Sequence, residues 1–462
     1  MRDEYEALIR NETCSLVPFS YAYKVIDSKW VFRIKQNTDG SVAKYKARLV
    51  AKGFQQTKGV DYFETFSLVV KACTVRIILS LVVMNKWKIW QVDVNNAFFN
   101  GELTEDVYMH QSEGFVDLKR ASYVCKLKKA LYGLKQALKA WYDKLKSFQM
   151  INWGFQSSRA DTFFFFKEIQ GSMIFVLIYV DDILITRPDS GELEKFISKF
   201  SKTFALKDLG ILSYFLGIEV FYADECIYLS QRKYIKDLLS KADMLNCKGC
   251  DTPMVTEQKL QKEVKGYLGQ YVEDTIGYKS FVGGDREMRI TGFTDVDWAC
   301  EIDDWKSIGA YCIYFGNNLV SWSSKKQSVT SEESEYRALA SASAEIARIQ
   351  SLLSELNIKC TSVPTIWCDK MSATKLAKNL VYHSRTKHIE LDMHFVSDKV
   401  LAEELEINYI PSEEQIVDVL TKPFTFIYFN YLKTNLNVHP CPLSLRRAVK
   451  EAHNVYIQAA HA

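Results

Sequence analysis

The stretch FVLIYVDDILIT, residues 175–186, places two adjacent acids inside an otherwise apolar run. Two like charges about 4 Å apart repel by about 4 kcal/mol near a protein surface, before any cost of desolvation. Successive side chains of a regular strand point to opposite faces, so Asp181 and Asp182 cannot share one ligand from the middle of a strand. We therefore expect a hairpin with both acids at its tip and a divalent cation as the compensating charge.

The length of 462 residues allows two to four domains, each with its own core. The chain has 59 Lys and Arg against 56 Asp and Glu, and this net charge of +3 neither favours nor excludes a nucleic-acid partner. Residues 24–58 hold nine Lys or Arg against two Asp, and residues 119–146 hold nine against one. Such clusters are typical of a track for a polyanion, and a solvated face is the equally weighted alternative.

Cysteine usage indicates the redox compartment, and the lengths of the apolar runs indicate whether a membrane span is expected. The chain has eleven Cys without a disulfide-like framework and no signal peptide at MRDEYEALIR, which favours a reducing compartment. Cys247 and Cys250 form a lone CxxC without a second pair at zinc spacing, and we interpret it as incidental. The longest apolar runs, residues 163–166 and 173–180, are too short to span a bilayer, so no membrane segment is expected.

The first half of the chain alternates strand and helix patterns. Residues 29–54 are predicted to form a basic hairpin, because two β-rich runs flank the turn sequence NTDG. An apolar helix is expected over residues 74–87, and a strand carrying Asp93 over residues 88–99. Residues 123–148 are predicted to begin as a short strand and to continue as a long basic helix with one apolar face.

The chain changes character after residue 250. Residues 251–287 are polar, contain glycine and show no clear element, which indicates a linker or a remnant. From residue 288 the order βββαβα…βα predicts a mixed sheet with helices in a single α/β domain. Residues 438–462 match no pattern and are assigned as a tail.

Carboxylates are the candidate functional groups in both halves. Mg²⁺ prefers oxygen ligands, and two-metal phosphoryl transfer needs carboxylates that hold two ions about 4 Å apart. In the first half the candidates are Asp93, Asp181 and Asp182, which can converge on one cleft from adjacent strands. On spacing alone, Asp93 is more simply interpreted as a helix N-cap or turn residue, because two Asn follow closely.

The second half carries one acid at each of four predicted elements. The set is Asp295, Glu335, Asp369 and Asp418. Asp297 would lie on the same strand face as Asp295 and competes with it, and Glu335 stands among other acids as on a solvated helix face. Together the four acids can form a nuclease metal site, which periodicity alone does not establish.

Two series of sequence blocks carry a resemblance to a known family. The first series resembles the reverse transcriptase of copia-type LTR retrotransposons. Its blocks are KYKARLVAKGFQQ, ETFS, QVDVNNAFFNGEL, VCKLKKALYGLKQALKAWYDKL, YVDDILIT and KDLGILSYFLGIEV. The second series resembles the ribonuclease H of the same polyprotein. Its blocks are FTDVDWAC, SEESEYRALASASAEI, WCDKMSATKLAKN and QIVDVLTKP. The blocks follow the family order from about residue 2 to about residue 437, which makes the resemblance specific.

The resemblance implies roles for individual residues. Asp93, Asp181 and Asp182 match the polymerase metal ligands, and the four acids of the second half match those of the nuclease, with EYRAL selecting Glu335. Phe98 matches the aromatic residue that excludes a 2′-hydroxyl and so selects deoxynucleotides. The further substrate contacts are Lys46 and Arg48 at the triphosphate, Gln136 under the nucleotide and template, and Tyr179 at the primer end. His388, in the block HSRTKHIELDMHFV, receives no role.

The implied architecture is a right-hand polymerase with fingers and palm and a truncated thumb, followed by a ribonuclease H-like mixed-sheet domain, an α+β and α/β chain overall. The expected ranges are 1–250 for fingers and palm, 251–287 for a thumb or connection remnant, 288–437 for the nuclease and 438–462 for the tail. The implied cofactor is Mg²⁺, two ions per site, with Mn²⁺ as an alternative. The implied partners are an RNA template, a DNA primer, an RNA–DNA hybrid and deoxynucleoside triphosphates, in a cytoplasmic particle or the nucleus.

Departures from the family pattern bear on retained activity. Family members have several tens of residues between YKSFVG and the strand leading to FTDVDW, whereas here YKSFVGGDREMRITGFTD runs straight through. Leu68, Leu138, Arg187 and Lys370 are substitutions relative to the family pattern. The expectation is also that no protease, integrase or capsid segment precedes residue 1. The expectation is a partly decayed copy. A polymerase with ribonuclease H, a nuclease alone and a non-catalytic nucleic-acid binder all stay open.

Overall fold

A computed structural model describes residues 1–36, 41–65, 69–147, 153–169, 171–187, 190–223, 226–247, 252, 278–284, 287–298, 306–327, 333–378 and 390–440. Contacts divide the chain into two compact units. The N-terminal unit is Met1–Val70 with Ile89–Gly210, and the C-terminal unit is Lys71–Lys88 with Ile211–Ala462. The domain ranges expected from the sequence stay predictions. Leu68, Cys250 and His388 lie outside the described residues, and the side chain of Arg187 does too.

Within the described residues, the α-helices are α1 Arg2–Arg10, α2 Ala72–Met84, α3 Ala137–Leu145, α4 Ser190–Ser201, α5 Arg232–Lys241, α6 Glu333–Glu355, α7 Met371–Lys378, α8 Glu390–Leu401 and α9 Phe426–Asn435. The strands are β1 Cys14–Pro18, β2 Val25–Ile26, β3 Ser28–Gln36, β4 Val42–Ala51, β5 Lys88–Val94, β6 Glu102–Met109, β7 Tyr123–Lys129, β8 Gln156–Ser157, β9 Phe164–Ile169, β10 Ser172–Tyr179, β11 Asp182–Arg187, β12 Leu206–Ile211, β13 Tyr214–Phe215, β14 Ile218–Ala223, β15 Cys226–Ser230, β16 Tyr278–Gly283, β17 Ile290–Asp297, β18 Ile308–Phe315, β19 Asn318–Lys326, β20 Thr365–Cys368, β21 Glu406–Tyr409 and β22 Val438–Pro440. The mixture of helices and strands is the α+β and α/β class that the sequence predicted.

The N-terminal unit is built on a six-stranded sheet in the order β12-β5-β11-β10-β9-β8. Strands β9, β10 and β11 each contain a buried apolar run, at residues 164–166, 174–178 and 183–185, as expected of strands that are covered on both faces there. A four-stranded sheet, β1-β7-β6-β2, and the two-stranded hairpin β3-β4 complete this unit. The hairpin pairs Ser28 with Ala51 and Arg33 with Lys46, which confirms the predicted basic hairpin.

The helix predicted to continue from β7 is shorter than expected. Residues 130–136 form turns, and α3 begins only at Ala137. Gly133 has φ +91 and lies against the backbone of Ala51, where an added Cβ would overlap the Ala51 carbonyl. A residue in this conformation cannot continue a right-handed helix, so the chain turns and presents Tyr132 before α3 starts.

The C-terminal unit contains a five-stranded mixed sheet in the order β19-β18-β17-β20-β21. The first three strands are antiparallel, whereas β17, β20 and β21 are parallel. Helix α6 packs on β17 and β18, and its buried face includes Leu339, Ile346 and Leu353. This arrangement confirms the mixed sheet with helices predicted from residue 288 onward.

A second sheet of the C-terminal unit has the order β13-β14-β15-β16-β22. Strand β16 lies in the stretch expected to have no clear element, and β22 lies at the start of the expected tail. Their partners are distant in sequence, because β16 pairs with β15 on one side and with β22 on the other. Short strands of this kind depend on tertiary pairing, which a local pattern does not report.

Helix α2 belongs to the C-terminal unit although it precedes β5 in sequence. It is buried almost all round, including Ile77, Ile78 and Val82, and it packs against β19 and β16. A helix that is apolar on every face needs a fully buried location, and the C-terminal unit provides it. No helix among the described residues is long and apolar enough to cross a membrane.

Candidate active sites

The hairpin of β10 and β11 places Asp181 in its turn and Asp182 at the start of β11. Tyr179 pairs with Asp182, so the turn consists of Val180 and Asp181 alone. Val180 has φ 58, which is unusual for a β-branched residue and costs about 1–3 kcal/mol. The indole N–H of Trp141 donates to the Val180 carbonyl oxygen at 2.7 Å and supports this turn. The predicted hairpin with two acids at its tip is confirmed.

Asp93 reaches the same place from the neighbouring strand. Strand β5 lies next to β11 in the sheet, and the Val94 amide donates to the Asp181 carbonyl oxygen at 2.7 Å. Burial raises the pKa of the Asp182 carboxyl, and the charges of Asp181 and Asp93 raise it further. Gln91, two residues before Asp93, donates to Asp182 Oδ1 at 3.1 Å. Asp93 is therefore a strand residue beside the other two acids, and the N-cap alternative does not hold.

An arginine and two aromatic rings border these acids. Arg48 on β4 approaches Asp181 with 3.8 Å between Nη2 and Oδ2, and its guanidinium lies 4.4 Å from the ring centroid of Tyr132. The Phe98 ring meets the Tyr132 ring edge-on at 4.8 Å. Burial raises the pKa of Tyr132 to about 12, and the charges of Asp181 and Asp93 add to this while Arg48 opposes it. The Tyr132 ring thus contacts Arg48 and Phe98, two residues predicted to bind substrate, and lies close enough to the acids for their charges to raise its pKa.

The remaining predicted substrate residues differ in their surroundings. Lys46 lies two residues before Arg48 on β4, so both side chains share one face. Tyr179 lies opposite Asp182, and directly opposite residues share a sheet face. Gln136 is 2% exposed, accepts from Gln56 Nε2 at 3.1 Å and donates to the Asp61 carbonyl oxygen at 2.8 Å. Its amide is engaged inside the protein, and contact with a nucleotide stays a prediction.

The second set of acids lies in the C-terminal unit. Asp295 is on β17 and Asp369 directly follows β20, and these parallel strands pair Thr294 with Cys368. The two acids therefore lie at the same level of the sheet, Asp295 within β17 and Asp369 just after the end of β20. Glu335 on α6 is 5% exposed, so the solvated-face alternative does not hold. Asp418 lies in the 3₁₀ helix Ile416–Leu420 and is also buried.

The electrostatics of the four acids indicate that they lie close together. Burial raises the pKa of Glu335 to about 7, and the charges of Asp295 and Asp369 raise it further. Burial likewise raises the pKa of Asp418 to about 7, with Asp295 as the next cause. Like charges raise a carboxyl pKa only when they are close. The structure thus brings all four predicted acids together, with Asp295 close to both Glu335 and Asp418.

Polar and aromatic neighbours hold these acids in place. Thr421 donates to Asp295 Oδ2 at 2.7 Å, and Lys422 Nζ lies 3.3 Å from Asp295 Oδ1 and 2.9 Å from Asp418 Oδ1. The Trp298 indole N–H donates to Glu335 Oε1 at 2.9 Å. Lys370 Nζ lies 4.7 Å from the Trp298 ring centroid. Lys370, which differs from the family pattern, therefore has its charge over the Trp298 ring, and it directly follows Asp369 in sequence.

Donor chemistry in both sites fits a divalent cation. Asp369 accepts from Ser412 through Oδ2 at 3.0 Å, whereas its Oδ1 is buried with no hydrogen-bond partner. Groups of carboxylates that raise one another's pKa are groups that a cation would stabilise. Within the part of the chain that the structure describes, no three His, Cys, Asp or Glu side chains already have the geometry of a metal site. The residues fit Mg²⁺ by type, and the metal itself stays a proposal.

Several site residues were missed by sequence reasoning. They are Gln91, Tyr132, Trp141, Trp298, Thr421 and Lys422. Two of them carry a usable signal, because Gln91 is at i−2 from Asp93 on a strand and Lys422 is at i+4 from Asp418. The contacts that bring the others to the sites join residues 34 or more positions apart, which spacing does not reveal.

Comparison with known proteins identifies the chain's relatives. The sequence profile described as "Reverse transcriptase (RNA-dependent DNA polymerase)" matches residues 11–256. The Retrovirus-related Pol polyprotein from transposon RE1 of Arabidopsis thaliana is 39% identical over 96% of this chain and 34% of its own length. That from transposon TNT 1-94 of Nicotiana tabacum is 33% identical over 95% of this chain and 37% of its own length. The chain thus spans about a third of the curated relatives it matches.

The alignment with the RE1 polyprotein also shows missing sequence. It runs over 496 positions, whereas 96% of 462 residues is about 444, so about 52 aligned positions have no residue here. This agrees in size with the several tens of residues expected to be lost after YKSFVG. The point along the chain at which they are missing stays a prediction.

Among solved structures, a foamy viral protease-reverse transcriptase in complex with RNA/DNA hybrid matches 88% of this chain and 52% of its own, with 12% identity and a TM-score of 0.44. A likeness of this size assigns no activity. The family match covers more than half of the chain, and the relatives extend it over nearly all of it. The chain belongs to the reverse transcriptase (RNA-dependent DNA polymerase) family, and within it to the copia-type Pol polyproteins of retrotransposons.

Proposed function

We propose that this chain is an RNA-directed DNA polymerase joined to a ribonuclease H, each with its own two-Mg²⁺ site. The observation that carries the proposal is the convergence of Asp93, Asp181 and Asp182: Asp93 and Asp182 lie on adjacent strands, Asp181 lies in the turn before Asp182, and the charges of Asp93 and Asp181 both act on Asp182. Three carboxylates in such an arrangement are stable together when a cation is present. The four buried acids of the C-terminal unit support the nuclease part in the same way.

The polymerase site would act mainly by positioning the metal ions, the incoming triphosphate and the primer end. Asp93, Asp181 and Asp182 would hold the metal ions, and Lys46 and Arg48 would bind the incoming triphosphate. Phe98, packed on Tyr132, would exclude a 2′-hydroxyl, and Tyr179 would lie beside the primer end. Bound Mg²⁺ would supply the positive charge that activates the attacking oxygen and stabilises the leaving oxygen, in this site and in the nuclease site.

The nuclease site would bind an RNA–DNA hybrid. Asp295, Glu335, Asp369 and Asp418 would hold its ions, with Trp298 orienting Glu335 and Thr421 orienting Asp295. Lys370 would bring positive charge to the edge of this site, where a phosphate of the RNA strand would pass. The substrates are therefore RNA template, DNA primer, deoxynucleoside triphosphates and hybrid.

The roughly 52 missing positions favour a second possibility, a chain that keeps the nuclease alone. If they remove thumb sequence, the primer–template duplex loses one wall of its groove, and processivity suffers first. The nuclease acids do not depend on that wall. A relic without either activity is the third outcome that an experiment must separate.

Primer extension on an RNA template, with Mg²⁺ and deoxynucleotides, tests the polymerase. The purified chain is compared with Asp181→Asn/Asp182→Asn and, as a matched control, with Asp295→Asn/Asp418→Asn. Extension that is lost only in the first variant supports the polymerase, and hybrid cleavage that is lost only in the second supports the nuclease. Cleavage without extension supports the nuclease alone. A folded, hybrid-binding chain with neither activity would overturn the proposal.

A further inference from the structure

Lys422 occupies the space between two of the proposed nuclease ligands. Its Nζ lies 3.3 Å from Asp295 Oδ1 and 2.9 Å from Asp418 Oδ1. These side chains are buried, at 2% and 7% exposure, whereas the Lys422 side chain is 29% exposed. The ammonium group therefore bridges two carboxylates from the side that opens to solvent.

A further contact of this cluster engages the other oxygen of Asp295. Thr421 donates to Asp295 Oδ2 at 2.7 Å, which fixes that oxygen and leaves Oδ1 for the ammonium group. A divalent cation shared by Asp295 and Asp418 would need oxygens of both carboxylates at about 2.1 Å. An ammonium nitrogen at 3.3 and 2.9 Å from Asp295 Oδ1 and Asp418 Oδ1 would compete with an ion that binds these same two oxygens.

We infer that Lys422 is a built-in counter-cation of the nuclease site, which neutralises Asp295 and Asp418 in the metal-free protein and leaves when a metal ion binds. The inference rests on the proposed function, since it takes these acids as metal ligands. It adds that metal binding is a competition between an ion and this lysine. The Lys422 side chain has a flexible four-carbon stem and is partly exposed, so its ammonium group can move away from the acids into solvent.

The competition has a consequence for metal affinity. Each ion that enters must first break two charge-assisted contacts, so the apparent affinity is lower than that of the same acids without the lysine. Lys370 provides the matched comparison. It is also a lysine beside the nuclease acids, but its Nζ lies over the Trp298 ring at 4.7 Å rather than between two carboxylates.

The first experiment measures Mn²⁺ binding by calorimetry to the full chain. All proteins carry Asp181→Asn/Asp182→Asn, so that the polymerase acids contribute no binding. Lys422→Met is expected to bind Mn²⁺ about tenfold more tightly than the parent, whereas Lys370→Met changes the affinity less than threefold. Asp295→Asn/Asp418→Asn should lose the binding. Retained binding in that variant would place the ion elsewhere and overturn the inference.

The second measurement uses the unsubstituted lysine and does not depend on how Lys422→Met folds. Acylation of lysines in the parent protein is followed by mass spectrometry, with and without saturating Mn²⁺. Lys422 should react slowly without metal and several times faster with it, while Lys370 serves as the internal reference. Equal reactivity of Lys422 in both conditions would overturn the displacement.

The outcomes separate the inference from the proposed function. Equal Mn²⁺ affinity of the parent and Lys422→Met, or weaker binding by Lys422→Met, would overturn the inference and leave the metal site standing. No Mn²⁺ binding by any variant would overturn the proposed nuclease metal site itself, and the inference with it.

Discussion

Trp141 donates its indole N–H to the carbonyl oxygen of Val180 at 2.7 Å, and so a buried residue of helix α3 holds the turn that carries Asp181. The turn needs this support because Val180 is strained at φ 58. Strain of this kind persists only where the surrounding structure fixes the conformation. The position of Asp181 beside Asp93 therefore depends on a contact from outside the hairpin.

Trp141→Phe should weaken this turn and reduce extension. The substitution removes one hydrogen bond and part of a buried ring, which together cost about 2 kcal/mol of folding free energy. We expect a lower thermal midpoint and a loss of primer extension of about tenfold or more. Trp90→Phe is the control, since it removes a similar indole contact to Asp208 Oδ1 at 2.7 Å on a partly exposed side chain. Equal losses of extension in both variants would contradict the role of Trp141.

The ring of Tyr132 should matter for nucleotide binding. Its ring centroid lies 4.4 Å from the Arg48 guanidinium and 4.8 Å from the Phe98 ring centroid. Tyr132→Leu therefore removes the ring contacts that position both side chains. We expect KM for deoxynucleotides to rise about tenfold with a smaller change in kcat, because positioning of the triphosphate is lost first. Tyr132→Phe keeps both ring contacts and should behave like the parent in steady-state kinetics. An equally impaired Tyr132→Phe would assign the effect to the hydroxyl group.

The strands of the C-terminal mixed sheet were predictable because their patterns are local. The order βββα predicted from residue 288 onward corresponds to β17, β18, β19 and α6. The adjacent acids in an apolar run already indicated Asp181 and Asp182. The family resemblance was needed to select Asp93 and Glu335, since spacing alone favoured a turn or N-cap residue at Asp93 and a solvated helix face at Glu335. The location of α2 and the contact of Lys422 with Asp295 were not predictable, because both depend on contacts between distant segments. Arg348, for example, contacts Thr74 across 274 residues.

The metal-free protein should lose stability as the pH rises through neutrality. The pKa of Glu335 is about 7 in the folded chain, against an ordinary value of 4.5. The folded state therefore binds more protons than the unfolded state between these values, and the free energy of unfolding falls as pH increases from about 4.5 to about 7. The loss is of the order of 3 kcal/mol at most.

Thermal unfolding in EDTA between pH 5 and pH 8 measures this loss. Glu335→Gln should flatten the slope, because the amide does not titrate. Asp295→Asn should flatten it only in part, since burial is the larger cause of the raised pKa and remains. Excess Mg²⁺ should also reduce the slope in the parent by favouring the ionised acids. A parent slope that Glu335→Gln leaves unchanged would show that other groups cause the pH dependence.

Arg348 should hold helix α2 within the C-terminal unit. Its guanidinium forms two hydrogen bonds to Glu345, at 2.7 and 3.0 Å, and reaches Thr74 Oγ1 of α2 at 3.4 Å. Ser321 on β19 donates to the same Glu345 at 3.0 Å. The ion pair is only 14% and 19% exposed, so Arg348→Met leaves a largely buried carboxylate unpaired, at a cost of about 2–3 kcal/mol.

Hydrogen exchange of the full chain tests this connection. Arg348→Met should raise the exchange of residues 72–84 together with that of residues 333–355, because both helices lose a shared contact. Arg289→Met is the control, since its pair with Glu287 at 3.4 Å is about half exposed and contributes little. If α2 keeps its protection while α6 loses it, the packing of α2 depends on its apolar contacts with β16 and β19 and not on the Arg348 cluster.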